Sequence, residues 1–285
     1  MEEFEVDASR VAEWVPPKSR NAHKRMNGTV CVIGGSRLYH GAPFLCASGA
    51  MRSGVDLVYI AVPASISVPI RALSPDFIVV PLPDARLTRG NVSKLATWVR
   101  AVDCYAVGPG LGPQRPADLA SCVNRLKGGA KLVLDADILR PEVLVPVKGT
   151  SSVVTPHSGE FERLFGEKLP GDLSERASLA AKKAREWGVI VLLKGPTDVI
   201  TDGSRTALNN NHSPAMTVGG TGDVLTGVTA GLLARGMQPF EAACSAAYIN
   251  GAAGKLAAEE LGLHIVASDV ANRIANAMKR FDSLS

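Results

Sequence analysis

The stretch Gly219-Gly220-Thr221-Gly222-Asp223-Val224-Leu225-Thr226-Gly227 joins a glycine-rich turn directly to an apolar helical pattern. A helix that begins in such a turn presents free backbone N–H groups and the positive end of its dipole, which together form an anion site. Glycine lets a phosphate approach the turn, and Gly227 with Gly231 predicts that the helix packs closely on a sheet. We therefore expect an anionic ligand at residues 219–222.

Asp223 is unusual in this turn because a fixed carboxylate repels a neighbouring phosphate. Its presence is explained if it has a chemical task, and the natural task is that of a general base. An aspartate that accepts the proton of a substrate hydroxyl during attack on a phosphoryl group accelerates the step by about 10²–10⁴. The alternative is structural, since Thr221 or Asp223 can cap the helix.

Short β-rich runs alternate with helical stretches along most of the chain. This alternation is typical of an α/β fold in which helices cover both faces of a largely parallel sheet. Most of the runs end in Gly or Pro, and ligands of such folds bind at the carboxyl ends of the strands. The predicted strands are residues 29–33, 56–62, 77–80, 104–107, 131–134, 152–155 and 189–193.

The pattern changes after residue 193. Two short strands, 198–201 and 205–208, flank Asp202-Gly203-Ser204, which predicts an antiparallel hairpin, with a flap over the site as one interpretation. Helices are predicted at 222–235, 239–260 and 267–280. No repeat or Pro/Ser-rich linker divides the sequence, so we expect one domain over residues 1–285.

Two further strand ends carry residues suited to ligand contact. Gly108-Pro109-Gly110, followed by Leu111-Gly112, predicts a backbone wall beside a ligand or a plain tight turn. Pro156-His157-Ser158-Gly159-Glu160 places an imidazole and a carboxylate three residues apart at a helix start. His157 is suited to a phosphate or a ring substrate. Glu160 either holds a metal ion through water or is a first-turn acid favoured by the helix dipole.

Lys194, Asp135 and Asp137 lie at two other strand ends. Lys194 either supplies a point charge to nucleotide phosphates or is a solvated lysine. The two aspartates flank the end of the 131–134 strand, where they can touch a metal ion. Capping of the next helix is the interpretation we favour for them.

Composition excludes several classes of function. The chain has 285 residues, of which 46% are hydrophobic and 20% charged, as in a globular protein. Its net charge of +4, from 31 basic and 27 acidic residues, is spread along the sequence and does not indicate nucleic-acid binding. The amino terminus lacks a signal-peptide pattern, and no apolar run approaches the roughly 18 residues that span a bilayer. We expect no membrane partner.

The cysteines and histidines show no metal-site pattern. There are five cysteines, an odd number without a C-x-x-C pair, and most lie in apolar stretches. This indicates buried, reduced thiols and a cytoplasmic protein without a structural metal. Four histidines have no metal-ligand spacing with one another: His23, His40, His212 and His264.

Taken in order, these loops resemble the NAD(P)H-hydrate dehydratase family of the ribokinase-like superfamily, whose members repair hydrated nicotinamide cofactors. The resemblance spans residues 20–280 and is most specific in the P-H-x-G-E and G-G-T-G-D-V-L motifs. The segments that carry it are Tyr39-His40-Gly41-Ala42-Pro43 with Ala50-Met51-Arg52-Ser53-Gly54, Gly108-Pro109-Gly110-Leu111-Gly112, Leu134-Asp135-Ala136-Asp137, Thr155-Pro156-His157-Ser158-Gly159-Glu160, Leu193-Lys194-Gly195, and residues 216–227.

The resemblance implies a ribokinase-like three-layer α/β/α sandwich with a mostly parallel central sheet. It implies an enzyme that uses ADP or ATP, with Mg²⁺, to phosphorylate the ring hydroxyl of the S epimer of hydrated NADH or NADPH. Loss of phosphate then restores the dihydronicotinamide. By the same resemblance, Asp223 is the catalytic base. The hydrated dinucleotide contacts Ala42, Gly110, His157 and Asp223, and the nucleotide contacts Lys194, Gly195, Pro196, Thr197, Asp198 and Gly222.

The chain departs from the family pattern at two places. Asn211-His212-Ser213 stands where the family commonly has a Thr-Gly-Asn type of turn, which affects the local loop and the nucleotide preference. Many relatives carry an amino-terminal epimerase domain, whereas only a short lead precedes the first strand predicted here. We expect a stand-alone dehydratase that is linked to a separate NAD(P)H-hydrate epimerase and forms a homo-oligomer such as a tetramer.

Two other functions fit parts of the pattern. A ribokinase-like small-molecule kinase, such as a hydroxyethylthiazole kinase, shares the G-x-G-D helix start and stops at the phosphorylated product. The P-H-x-G-E motif and the Gly108–Gly112 wall fit the dehydratase better. A nucleotide-binding regulatory protein would keep the cleft without turnover, but binding alone gains nothing from the Asp223 carboxylate.

Overall fold

The structure, a computed structural model, describes residues 2–83, 87–99 and 101–285. Within these residues the strands form one ten-stranded sheet. The strands are β1 (Glu2–Glu5), β2 (Thr29–Ile33), β3 (Leu57–Pro63), β4 (Ile78–Leu82), β5 (Cys104–Val107), β6 (Lys131–Leu134), β7 (Val153–Val154), β8 (Ile190–Leu193), β9 (Asp198–Thr201) and β10 (Arg205–Asn209).

Helices follow most of the strands, as the alternating pattern predicts. They are α1 (Ala8–Trp14), α2 (Gly41–Arg52), α3 (Ala64–Leu73), α4 (Arg89–Trp98), α5 (Pro116–Leu126), α6 (Leu144–Val147), α7 (Ser158–Phe165), α8 (Leu173–Trp187), α9 (Thr221–Ala234), α10 (Pro239–Leu261) and α11 (Ala267–Met278). Short 3₁₀ turns cover Ala136–Ile138, Pro141–Val143, Pro214–Met216 and Lys279–Phe281.

The strand order is β1-β10-β9-β8-β7-β6-β5-β2-β3-β4. Neighbouring strands pair in parallel except at β9, which is antiparallel to both β8 and β10. Side chains alternate between the two faces, so that in β2 Val30 and Val32 join one core and Cys31 and Ile33 the other. Helices α2, α9, α10 and α11 pack on the first face, and α5, α7 and α8 on the second. The predicted three-layer α/β/α class is confirmed.

Two expectations about the sheet are wrong. The 198–208 hairpin is not a flap, because β9 pairs with β8 and β10 pairs with β1, so both strands lie inside the sheet. The first strand is β1, well before residue 29. Three of its four residues are glutamate, which is typical of a charged edge strand. A strand of this composition cannot be predicted from a pattern of hydrophobic residues.

The small residues of α9 lie at its contact with α2, while the same helix also packs on the sheet. An added Cβ at Gly227 would lie 1.8 Å from the Cys46 carbonyl oxygen, and one at Gly231 would lie 1.8 Å from Ser53 Oγ. On the other side of the contact, a Cβ at Gly49 would lie 2.4 Å from the Val224 carbonyl oxygen. The prediction that these glycines allow close packing is therefore right, but the neighbour is a helix.

The five cysteines are buried free thiols, as the sequence predicts. None of the described helices is long and apolar enough to cross a bilayer.

Replacing Gly227 with Ala should destabilise the protein, because the added methyl group has no room beside the Cys46 carbonyl. We expect a loss of about 1–3 kcal/mol in the free energy of unfolding, measured by denaturant titration. Gly41→Ala is the matched helical control, since nothing lies within 4 Å of its added Cβ. Its stability should stay within about 0.5 kcal/mol of the wild type. Equal stability of the two variants would contradict the close helix contact.

Candidate active site

The site is built at the carboxyl edge of the sheet. Strands β5 to β8 are parallel and end there, and the 104–112, 131–137, 153–160 and 190–198 segments leave the sheet side by side. Helix α9 begins at the same edge, because Asp135 after β6 contacts Thr226 in its second turn. Residues that lie far apart in sequence therefore face one another.

Asp135 is the buried centre of this edge. It is 1% exposed, and its carboxylate accepts hydrogen bonds from Lys194 Nζ at 2.9 Å and Thr226 Oγ1 at 2.8 Å. Gly108 makes room for it, since an added Cβ there would lie 1.7 Å from the Asp135 carbonyl oxygen. The expectation that Asp135 caps the next helix is wrong, because its side chain makes no capping hydrogen bond and instead holds a lysine and a threonine.

Asp137 also has a tertiary partner rather than a capping role. Its Oδ2 accepts the backbone N–H of Gly112 at 2.8 Å, which ties the 108–112 turn to the end of β6. Between the two aspartates, Ala136 has a φ of 56°, a left-handed conformation that is costly for a residue with a side chain. Arg163 holds this backbone by donating to the carbonyl oxygens of Ala136 and Leu139.

His157 and Glu160 begin α7 with a capping box. The Nδ1 of His157 accepts the backbone N–H groups of Gly159 and Glu160, and Glu160 Oε2 accepts the backbone N–H of His157. An accepting Nδ1 places the ring proton on Nε2, and the His157 side chain is 60% exposed and open to a ligand. The interpretation of Glu160 as a first-turn acid is confirmed, whereas its contact with a metal ion through water stays a prediction.

Lys194 is not a solvated strand-end lysine. Besides the bond to Asp135, its Nζ lies 3.6 Å from Glu160 Oε2, and its side chain is 20% exposed. Burial lowers the pKa of Lys194, but attraction to Asp135 and Glu160 outweighs this effect and the pKa is raised. The ammonium is therefore held charged at this edge.

Asp223 lies in the first turn of α9, and the structural interpretation of the helix start is wrong. The N-cap is Gly220, with a φ of 100° and no side-chain capping hydrogen bond, while Thr221 Oγ1 donates to the carbonyls of Met216 and Val218. The partly buried Asp223 carboxylate accepts no hydrogen bond from the described residues. Burial raises its pKa to about 8, and repulsion from Asp135, Glu160 and Asp137 adds to the rise against attraction to Lys194.

Ala42 and Gly110 form a wall beside this cluster. An added Cβ at Gly110 would lie 2.7 Å from the Tyr39 carbonyl oxygen and 3.0 Å from Ala42 Cβ. The positive φ of 66° at Gly110 is one that a side chain would strain. These two predicted substrate residues are therefore direct neighbours, and the Gly112–Asp137 hydrogen bond connects them to the carboxylates.

A cleft of about 480 Å³ opens between the β8–β9 connection, the start of α9 and the middle of α10. Five of the predicted nucleotide residues line it: Lys194, Gly195, Pro196, Asp198 and Gly222. Thr197 does not, and its hydroxyl donates to Asn210 Oδ1 at 2.6 Å. A larger cavity of about 690 Å³, between the ends of α2 and α11, contains none of the predicted site residues.

Lys194 and Gly222 meet inside the cleft. An added Cβ at Gly222 would lie 3.3 Å from Lys194 Nζ, so the glycine allows the ammonium to reach the first turn of α9. Asp198 also lines the cleft. Its carboxylate accepts hydrogen bonds from the backbone N–H of Gly195 at 3.1 Å and from Asn209 Nδ2 at 3.0 Å. Burial raises the pKa of Asp198 despite these hydrogen bonds.

Three residues of this edge were missed at the level of sequence. Thr226 lies three residues after Asp223, a spacing that places both side chains on one helix face. Its contact with Asp135, which lies 91 positions earlier in the chain, has no local signal in the sequence. His212 lines the cleft from the loop whose departure from the family pattern bears on the nucleotide preference, although the residue itself was not predicted to bind. Asn250 lines it from an alanine-rich helix with no local signal for a ligand.

A sequence profile of the NAD(P)H-hydrate dehydratase family matches residues 30–276. The chain belongs to this family. An ADP-dependent (S)-NAD(P)H-hydrate dehydratase of Cenarchaeum symbiosum is 49% identical over 276 residues, which cover 96% of both chains. A bifunctional NAD(P)H-hydrate repair enzyme of Pyrobaculum aerophilum is 45% identical over 264 residues, which cover 92% of this chain and 52% of that protein.

A solved structure of a dehydratase has the same fold as this family member. The ADP/ATP-dependent NAD(P)H-hydrate dehydratase of Bacillus subtilis, co-crystallised with ATP and Mg²⁺, superposes with a TM-score of 0.83. The two chains are 27% identical, and the superposition covers 98% of each. The ribokinase-like fold and the family resemblance predicted from the loops are confirmed.

Replacing Asp223 with Asn should stabilise the protein as pH rises. The native carboxyl keeps its proton up to about pH 8, whereas the unfolded one releases it around its ordinary pKa of 3.8. The native state therefore binds more protons between these values, and wild-type stability falls with rising pH. The neutral amide removes this loss, so the gain should grow by about 1.4 kcal/mol per pH unit from pH 4 to pH 8 and reach roughly 5 kcal/mol.

Denaturant titrations of both proteins at pH 5, 6, 7 and 8 measure this gain. Asp118→Asn is the matched control, because Asp118 occupies the same first-turn position in α5 that Asp223 occupies in α9. A gain that does not change with pH would contradict the raised pKa of Asp223.

Proposed function

We propose that this protein is an ADP- or ATP-dependent (S)-NAD(P)H-hydrate dehydratase, in which Asp223 is the catalytic base. The observation that carries the proposal is the Asp223 carboxylate, which is partly buried and lies at a glycine-rich helix start without a capping role. The wall of Ala42 and Gly110 lies on one side of this edge and the 480 Å³ cleft on the other. This arrangement provides one place for a hydroxyl substrate and another for a phosphoryl donor.

The first proposed step is phosphorylation of the ring hydroxyl of the hydrate. The hydroxyl oxygen attacks the terminal phosphorus of the nucleotide, its proton passes to Asp223, and the bond from phosphorus to the leaving nucleotide oxygen breaks. A pKa of about 8 makes the carboxylate a stronger base than an ordinary aspartate. In the second step the ring carbon–oxygen bond breaks and phosphate leaves, while the neighbouring ring carbon loses a proton to water and its C–H electron pair restores the dihydronicotinamide double bond. Phosphorylation is needed because hydroxide is a poor leaving group.

The nucleotide phosphates are proposed to lie at the first turn of α9. The backbone N–H groups of residues 220–222 and the helix dipole attract an anion there, and Lys194 adds a positive charge beside Gly222. Gly195, Pro196, Thr197 and Asp198 would follow the nucleotide along the cleft, with Thr197 acting through its backbone because its hydroxyl is engaged by Asn210. ADP is the expected donor, as in the name of the Cenarchaeum symbiosum relative.

Mg²⁺ is proposed to enter the site with the nucleotide. Among the described residues no group of three or more His, Cys, Asp or Glu side chains is arranged to hold a metal ion. This fits Mg²⁺, which is usually held by phosphates, waters and one or two carboxylates rather than by a protein cage. Glu160 would contact it through water, and the ion would neutralise charge on the transferred phosphoryl group.

The hydrated dinucleotide is proposed to bind along Ala42, Gly110 and His157, ending at Asp223. Gly110 packs closely on Tyr39 and Ala42, so these residues would form one rigid surface for the ring of the substrate. His157 Nε2, which lies 3.4 Å from Glu160 Oε1 on a side chain that is 60% exposed, would donate to a phosphate or a ring amide of the substrate.

The cellular setting follows from the same proposal. Dehydration of only the S epimer leaves the other epimer unrepaired, so we propose a functional link to a separate NAD(P)H-hydrate epimerase. The relative from Pyrobaculum aerophilum is named a bifunctional NAD(P)H-hydrate repair enzyme. We propose a cytoplasmic homo-oligomer in which residues 1–285 act as one dehydratase domain. A small-molecule kinase is the weaker candidate, because the profile that matches the chain is that of the dehydratases.

Asp223→Asn should abolish turnover while ADP still binds. The amide keeps the size of the side chain but cannot accept the hydroxyl proton, so we expect less than a tenth of wild-type turnover. The assay incubates enzymatically hydrated NADH with ADP and Mg²⁺ and follows recovery of the reduced-nicotinamide absorbance. ADP affinity, measured by calorimetry at pH 7, should not fall, because the amide has the size of the protonated carboxyl that it replaces and, like it, carries no charge beside the phosphates.

Asp118→Asn, at the equivalent turn of α5, should keep full turnover. Retention of more than a tenth of the turnover in Asp223→Asn would contradict the role of general base.

The pH profile of the wild-type enzyme provides an independent test. The base must be ionised, so kcat/KM should rise about tenfold per pH unit below pH 8 and level off above it. A steady-state profile from pH 6 to pH 9 measures this limb. A kcat/KM that is constant between pH 6 and pH 8 would show that a group of pKa about 8 is not the base.

A further inference from the structure

Two buried polar atoms in the nucleotide cleft have no hydrogen-bond partner within the described part of the chain. They are Asn250 Oδ1 and His212 Nδ1, and both side chains line the 480 Å³ cleft. Asn250 is 5% exposed, so its amide oxygen is withdrawn from bulk water. A buried acceptor without a donor is costly, and native proteins keep such groups chiefly where a ligand or water completes them.

The orientation of the Asn250 amide is fixed by its other end. Nδ2 donates to the Thr221 carbonyl oxygen at 3.5 Å, and a flipped amide would bring two oxygens together there. The group of Asn250 that is left without a partner in the wall of the cleft is therefore an acceptor, not a donor. What completes it must carry an N–H or O–H group.

His212 is held beside Asn250 by the loop that precedes it. An added Cβ at Gly251 would lie 1.4 Å from the Asn211 carbonyl oxygen, so this loop rests directly on α10. Asn211 Nδ2 donates to the Tyr248 carbonyl at 3.0 Å, and Lys255 Nζ donates to Asn211 Oδ1 at 2.6 Å. The imidazole is thus placed before any ligand arrives. Its Nδ1 is a donor or an acceptor according to the tautomer.

We propose that Asn250 selects adenine nucleotides by accepting a hydrogen bond from the 6-amino group of the base, and that His212 adds affinity without selecting the base. This inference rests on the proposed function, which places the nucleotide in this cleft. Adenine carries a donor at position 6, whereas hypoxanthine and guanine carry a carbonyl oxygen there. An oxygen facing Asn250 Oδ1 would be repelled, and the fixed amide cannot turn to accommodate it.

The test measures binding of three nucleotides by calorimetry. They are ADP, purine riboside 5′-diphosphate, which lacks the 6-amino group, and inosine 5′-diphosphate, which has a 6-carbonyl oxygen. Wild-type protein should bind purine riboside diphosphate about 5- to 10-fold more weakly than ADP, the usual value of one neutral hydrogen bond. It should bind inosine diphosphate more weakly still. In Asn250→Ala the three affinities should come within about twofold of one another.

His212→Ala should weaken all three nucleotides by the same factor. Asn272→Ala and His264→Ala are the matched controls, since both residues are exposed and neither lines the cleft, and they should reproduce the wild-type series. Equal binding of ADP and purine riboside diphosphate by the wild type would overturn the inference, whether or not Asn250→Ala folds. So would a difference between these nucleotides that persists unchanged in Asn250→Ala.

A ribose contact is the competing interpretation of Asn250. If 2′-deoxy-ADP binds the wild type more weakly than ADP and Asn250→Ala removes that difference, the amide accepts from the sugar and the inference is overturned. Failure of the wild type to bind ADP at all would overturn the proposed function as well. Binding of ADP without selection by Asn250 would overturn only the inference.

Discussion

The ion pair between Lys194 Nζ and Asp135 Oδ1, 2.9 Å apart, is the interaction on which the site depends. Glu160 lies 3.6 Å from the same ammonium, so one positive charge already faces two carboxylates. Asp223 brings a further negative charge that this lysine cannot balance, and burial makes the charge costlier. Burial is the largest cause of the raised pKa of Asp223, and repulsion from Asp135, Glu160 and Asp137 adds to it against attraction to Lys194. The Asp223 carboxylate, which accepts no hydrogen bond from the described residues, is therefore a stronger base than an ordinary aspartate.

The contact between α2 and α9 determines where that base stands. Helix α2 begins at Gly41, beside the wall formed by Ala42 and Gly110, and α9 begins at the anion site. Glycines on both helices let their backbones approach closely, so the distance between wall and base is set by backbone contact rather than by flexible side chains. Such rigid support is what a reaction needs if it must bring a hydroxyl, a base and a phosphoryl donor into line.

The sequence predicted those parts of the site that depend on local pattern. Strand ends punctuated by glycine, the helix start at Asp223 and the first-turn acid Glu160 are all local, and each lies where expected. The pairing of Lys194 with Asp135 joins residues 59 positions apart, and no local signal distinguishes such a partner from a capping aspartate. Asn250 was missed for the opposite reason, because it lies among buried small residues of α10, where a polar side chain resembles ordinary packing. The edge strand β1 was not predicted, because its glutamates give no hydrophobic pattern.

The most direct test of this electrostatic arrangement is the pKa of the Asp223 carboxyl in the free protein. It can be measured by NMR titration of the aspartate side-chain carboxyl carbons, with Asp223 assigned by the signal that is missing in Asp223→Asn. Burial and the neighbouring carboxylates predict a pKa of about 8. An ordinary aspartate value near 3.8 would show that the cluster does not hold a proton on Asp223 and would contradict its role as a strengthened base.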